Sequence, residues 1–118
     1  MKKILVLDDD TDILELVRIT LSMHQYSVEA ISEWHDFKNG ITRFQPDLIL
    51  LDVSLSGVDG CNMCKEIKQS HLAAHIPVVL FSAHAGIATS FTDCIADDFV
   101  AKPFTISQLL ESIRKNLP

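Results

Sequence analysis

The chain is 118 residues long, 47% hydrophobic and 22% charged, which predicts one globular domain over 1–118 and excludes a disordered chain. Its net charge is −6 and its ten Lys and Arg residues are scattered, so the sequence offers no basic face for direct nucleic-acid binding. No apolar run approaches the roughly 20 residues of a membrane span, and the run Ile4–Leu7 is too short for a signal peptide. The expectation is a soluble, cytoplasmic protein with no membrane partner.

Lys3–Leu7 is short and apolar throughout, as a strand covered on both faces should be. Asp10 or Thr11 can then cap a helix whose predicted apolar face is Ile13, Leu16, Val17 and Leu21. Ser27–Ile31 reads as a second strand. Trp34, Phe37, Ile41 and Phe44 follow at helical spacing, and Pro46 stops that helix. Asp47–Leu51 is the third strand, followed by a loop with Gly57 and Gly60 and a helix over Cys61–Ser70 that buries Cys64 and Ile67. Pro77–Phe81 is the fourth strand. Between Ala83 and Asp97, Ile87, Phe91 and Ile95 keep helical spacing in a β-branched, nearly uncharged stretch, which predicts a frayed helix that is mobile until activation or partner binding orders it. Asp98–Ala101 is the fifth strand. The last helix is the clearest: Thr105 and Gln108 suit a capping box, Ile106, Leu109, Leu110, Ile113 and Leu117 form the stripe, and Arg114 and Lys115 suit the C-terminal dipole.

Strands alternating with helices imply an α/β fold, a parallel sheet with helices on both faces. Ligands of such sheets sit beyond the carboxyl ends of the strands, at the topological switch point. Asp8 and Asp9 follow the first apolar run, Asp52 the third, Ser82 the fourth, and Lys102 the fifth. Together they make an acidic pocket for a divalent cation with a hydroxyl and an ammonium beside it, chemistry suited to a phosphoryl group. Packed without metal, the carboxylates should repel one another and at least one pKa should rise. Asp10 reads as a plain helix cap.

Five stretches in this order, Ile4-Leu-Val-Leu-Asp-Asp-Asp10, Pro46-Asp-Leu-Ile-Leu-Leu-Asp52, Gly57-Val-Asp-Gly60, Pro77-Val-Val-Leu-Phe-Ser-Ala83 and Ala96-Asp-Asp-Phe-Val-Ala-Lys-Pro-Phe104, resemble the motifs of the receiver domain of two-component response regulators. The resemblance implies a flavodoxin-like, doubly wound, five-stranded parallel sheet in the order 2-1-3-4-5. It implies Asp52 as phosphoacceptor and Mg²⁺ as cofactor, bound by Asp9, by Asp8 in an assisting role, by Asp52 and by the backbone carbonyl of Ser54. Ser82 and Lys102 would contact phosphoryl oxygens, Pro103 would hold a turn that is commonly cis, and Phe99 would stand at the aromatic switch position. Ser54 and His84 occupy positions from which receivers tune dephosphorylation. The implied partners are a sensor histidine kinase or phosphotransfer protein and an unknown output protein, the chain being a monomer or a phosphorylation-dependent dimer. Ser56 departs from the usual proline, Phe99 from the frequent tyrosine, and the stretch after Ala83 from the usual charged helix.

Other readings compete. A receiver-fold interaction module without phosphorylation would not need the acids or Lys102. An aspartyl-nucleophile phosphatase needs a second acid where Ser54 stands, and a flavodoxin needs a hydroxyl- and glycine-rich loop where Asp8–Asp10 stand. Cys61-Asn-Met-Cys64 has redox or metal-ligand spacing, but no second pair completes a zinc site. The expectation is a core Cys64 beside a partly exposed Cys61. The odd count of three cysteines fits a reducing compartment. His24, His35, His71 and His75 read as surface residues.

Overall fold

The computed structural model describes residues 1–52, 60–71, 73–82 and 94–117. The stretch 83–93, Ser54, Ser56, Gly57, His84 and the side chain of Ser82, all singled out above, lie outside what is described. Strands β1 (Lys3–Leu7), β2 (Ser27–Ile31), β3 (Leu48–Asp52), β4 (Val78–Ser82) and β5 (Asp98–Ala101) form one parallel sheet in the order β2-β1-β3-β4-β5. Helices α1 (Thr11–Met23), α2 (Trp34–Phe44), α3 (Gly60–Gln69) and α4 (Ile106–Asn116) complete the described elements. The fold is the expected flavodoxin-like α/β arrangement.

The strand alternation sorts the core into two layers. Leu5, Leu7, Ile49, Leu51, Val78 and Leu80 face α2 and α3, where Phe37, Met63, Cys64 and Ile67 meet them. Ile4, Val6, Leu48, Leu50, Val79 and Phe81 face α1 and α4, where Leu14, Val17, Leu21, Leu109, Leu110 and Ile113 close the other side. Burial on both faces is why the interiors of β1, β3 and β4 are apolar, with Asp52 and Ser82 only at carboxyl ends.

Several boundaries shift by one residue. β4 starts after Pro77, which has no N–H to give to the ladder, so Ser82 becomes the last strand residue rather than the first beyond it. β3 likewise runs to Asp52, and α3 starts at Gly60. The buried face of α1 is Leu14, Val17, Thr20 and Leu21. Leu16, predicted inside, is 57% exposed, and Ile13 is only half-buried. Apolar residues occupy so much of this helix's circumference that periodicity cannot choose the face. The Asp10 carboxylate caps the helix start, accepting from the N–H groups of Asp12 and Ile13, and Leu14, Val17 and Leu21 pack into the core layer on this side of the sheet. Ile106, also predicted inside, is exposed.

The last helix has its capping box, with Gln108 N–H donating to Thr105 Oγ1 at 3.1 Å and Thr105 N–H to Gln108 Oε1 at 2.9 Å. It is pinned to β5 through Asp98, which accepts from Ser112 Oγ at 2.7 Å and Asn116 Nδ2 at 2.9 Å and pairs with Lys115. Burial pushes the Asp98 carboxyl up, but hydrogen bonds from Ser112, the Phe99 N–H, Asn116 and Lys115 outweigh it and hold the group below the ordinary carboxylate range. This anchor therefore adds stability above the usual carboxylate pKa and loses it as pH falls.

Cys64 lies in the core and Cys61 is partly exposed, as expected, but the bonding of the cysteines was not expected. Cys61, in the first turn of α3, is disulfide-bonded to Cys94, ahead of β5 and 33 residues away in sequence. Cys64 is the buried free thiol. The spacing of Cys61 and Cys64 holds no sign of Cys94, which lies 33 residues from Cys61 and meets it only in the folded sheet. Ile95 is no helical continuation either: its φ is 63° and it is half exposed. A β-branched residue in the left-handed region is strained by about 1–2 kcal/mol. Ile95→Gly should therefore raise the unfolding free energy by about 1 kcal/mol in urea titration.

Candidate functional site

Register builds the site. Leu7 lies beside Leu51, so the next residues, Asp8 and Asp52, come together where β1 and β3 end. The strand order reverses between β1 and β3, which makes this the switch point of the sheet. Asp52 stands opposite Phe81, and Ser82 opposite Ala101, so Lys102 emerges one residue further on. Asp8, Asp9, Asp52 and Lys102 arrive at one edge where Ser82 ends β4, while Phe99 lies two residues back along β5.

Asp8 is completely buried and Asp52 almost so, whereas Asp9 is exposed. Asp8 Oδ1 accepts from the Asp10 N–H at 2.9 Å, and Asp8 Oδ2 accepts from Lys102 Nζ at 2.8 Å. Lys102 Nζ lies 3.6 Å from Asp52 Oδ2, an ion-pair distance rather than a hydrogen bond. The same ammonium sits 4.7 Å from the centroid of the Phe81 ring, a cation–π contact that steers the side chain toward the acids. Phe81 was not singled out in the sequence. Its register with Asp52 is the signal that finds it. The Lys102–Pro103 peptide is cis. Phe99, paired with Leu80, is half-buried against the layer under α2 and α3.

Asp8, Asp9 and Asp52 can each offer one carboxylate oxygen, all within 4.8 Å of one another. Among the described residues, three acids facing one nearby ammonium leave an excess of negative charge in a largely dry place. A hard divalent cation fits that donor set, since Mg²⁺ takes one or two carboxylates and keeps several waters. Glu33, His35 and Asp36 also cluster, but all are exposed on the surface.

The chain matches the family described as the response regulator receiver domain over residues 4–114. It belongs to that family. This receiver is 35% identical over 116 residues to the DNA-binding dual master transcriptional regulator RpaA of Synechocystis sp., covering 97% of this chain and 48% of that protein. Its fold superposes on NtrX of Brucella abortus, solved with ADP, with a TM-score of 0.90 at 34% identity, over 99% of this chain and 27% of that one. The chemotaxis response regulator CheY4 of Vibrio cholerae shares the fold, with a TM-score of 0.90 at 22% identity over 99% of both chains. The chain spans about half the length of the curated relatives it matches. Family membership makes it a module of phosphorelay signalling.

One carboxyl in the receiver's pocket rises, as the packing of acids predicts, but repulsion is the lesser cause. Burial pushes Asp8 from 3.8 up to about 6; the Lys102 hydrogen bond and the Asp10 N–H oppose this, and contact with Asp52 adds to it. A folded-state pKa above the unfolded value means that ionising Asp8 costs stability. In the metal-free protein this loss develops as pH rises from 3.8 to about 6 and persists above it. Asp8→Asn keeps an acceptor for the Asp10 N–H and removes the charge. It should raise metal-free stability at neutral pH by about 1–3 kcal/mol, and denaturant titrations across this pH range should lose that slope.

Proposed function

We propose that this receiver accepts a phosphoryl group on Asp52 from a phosphohistidine of a sensor kinase or phosphotransfer protein and switches a protein-binding surface in response. The observation that carries the reading is the convergence of Asp8, Asp9 and Asp52 with Lys102 at the sheet's switch point. Asp52 is the nucleophile: its carboxylate oxygen bonds to phosphorus as the phosphorus–nitrogen bond to the histidine breaks, leaving an acyl phosphate. Asp8 and Asp9, with Asp52 and the Ser54 carbonyl, would hold Mg²⁺, which when bound supplies positive charge to the phosphoryl oxygens.

Lys102 does a second part of that neutralisation. It already spans Asp8 and Asp52, so an arriving phosphoryl oxygen can draw its ammonium away from Asp8. Ser82 would donate to another phosphoryl oxygen from the end of β4. Phe99, on the neighbouring strand and incompletely buried, is the side chain that would repack when Ser82 moves. His84 and Ser54 would tune hydrolysis of the product. The domain spans 1–118 and works in the cytoplasm beside its kinase. Its output goes through a protein partner or a further domain, as in the longer relatives, of which one is a DNA-binding regulator.

Intact-mass spectrometry after incubation with acetyl phosphate tests this. The protein should gain one phosphoryl group only with Mg²⁺, and Asp52→Asn should gain none while staying folded by circular dichroism. Wild-type labelling of Asp52→Asn would remove Asp52 as acceptor. No labelling of the wild type, with no beryllofluoride adduct either, would leave the silent interaction module as the better reading. Lys102→Ala should still bind Mg²⁺ but label roughly 10- to 100-fold more slowly, the worth of one hydrogen bond to a charged group.

A further inference from the structure

The Cys61–Cys94 bond joins two parts of the chain that bracket the pocket. Cys61 is separated from Asp52 only by the connection 53–59 and the Gly60 that opens α3. Cys94 stands after the connection leaving Ser82 and four residues ahead of Asp98, the first residue of the strand that carries Phe99 and leads to Lys102. Cys94 is buried in the same layer as Met63, Cys64 and Leu80, and Phe99 packs against that layer. Ile95, next in the chain, holds its strained left-handed turn. A bond at Cys94 therefore ties the approach to β5, the strand that carries Phe99, to α3.

We propose that Cys61 and Cys94 are a reversible dithiol–disulfide switch whose oxidised form ties α3 to the approach to β5 and restrains the receiver's response to phosphorylation. The geometry lets the bond open and close in the folded protein: the two Cα atoms are 5.0 Å apart, inside the range a disulfide spans without backbone movement. Access is graded. Cys61 is only partly buried and sits in the first turn of α3, within reach of a reagent in solvent. Cys94 is 2% exposed and can be reached from within, by Cys61.

The exchange balances with a disulfide oxidant such as glutathione disulfide. Cys61 Sγ attacks one glutathione sulfur and releases the first glutathione thiol. Cys94 Sγ then attacks Cys61 Sγ in the mixed disulfide and releases the second. Two electrons pass to the glutathione pair, its sulfur–sulfur bond breaks, and the two thiol protons leave with the products. A dithiol reductant reverses both steps. Cys64, one turn along α3, does not compete. Burial pushes its thiol up to about 11, with Asp97 adding to this and Lys68 opposing it, so it stays protonated and shielded. In a reducing compartment the pair would rest open and close under oxidation, the usual role of a disulfide there.

The effect on phosphorylation rests on the proposed acceptor function; the redox chemistry does not. The full chain is equilibrated with glutathione disulfide or with dithiothreitol, alkylated after denaturation, and in parallel labelled with acetyl phosphate and Mg²⁺. The oxidised protein should take one alkyl group, on Cys64, and the reduced protein should take three. Oxidation should slow phosphoryl labelling about fivefold, at the low end of known coupling between sites, and slow hydrogen exchange over 95–102; dithiothreitol should reverse both. Cys61→Ser, a change at a partly exposed position, should label at the reduced rate whatever the oxidant. Three alkyl groups after oxidation, a Cys61–Cys64 linkage, or equal labelling and exchange in the two redox forms would each overturn the switch. If neither form takes a phosphoryl group, the acceptor reading fails, and exchange over 95–102 still decides the switch: a difference between the forms supports it, and identity overturns it.

Discussion

Two carboxylates and an ammonium are buried together at the ends of three strands, and much of this molecule is arranged around that constraint. Asp8 and Asp52 are held in a dry place by register, not by favourable charge. Lys102 reaches them from the far end of the sheet, across β4, and Phe81 lies under its head group. Each contact here is made by a residue next to an apolar run. The runs supply the burial energy that lets the acids be placed where water would not otherwise let them stay. A charged cluster of this kind is weak evidence for stability and better evidence for a ligand that completes it.

The two layers of the core divide the labour. The layer under α1 and α4 closes with Phe81, Leu109, Leu110 and Ile113, and α4 is tied down again by the Asp98 network. The layer under α2 and α3 contains Cys64 and Cys94, with Phe99 and Cys61 only partly covered.

Much of the fold was legible in the sequence. The three central strands are apolar runs, α4 has a capping box, and α2 keeps strict spacing, so local pattern and tertiary structure agree there. Leu16 and Ile106 keep helical spacing with core residues yet are exposed: α1 carries more apolar residues than one face can bury, and Ile106 stands in the opening turn of its helix. Ile95 kept that same spacing and turned out to sit in a left-handed bend. The repulsion expected among the acids proved smaller than the burial of Asp8, a quantity no local pattern contains.

By itself the sequence determined the strand and helix order, the receiver family and the acids and lysine that converge, because each is written in the polarity of neighbouring residues. Only the tertiary structure decided which residues meet across the chain. It set Lys102 against Asp8, put Phe81 beneath Lys102, and joined Cys61 to Cys94 rather than leaving it beside Cys64. Those contacts depend on strand register and on the crossing of segments far apart in sequence. A one-residue change of register turns a side chain to the other face of a sheet, so side-chain partners at the pocket are properties of the assembled sheet and not of any stretch within it.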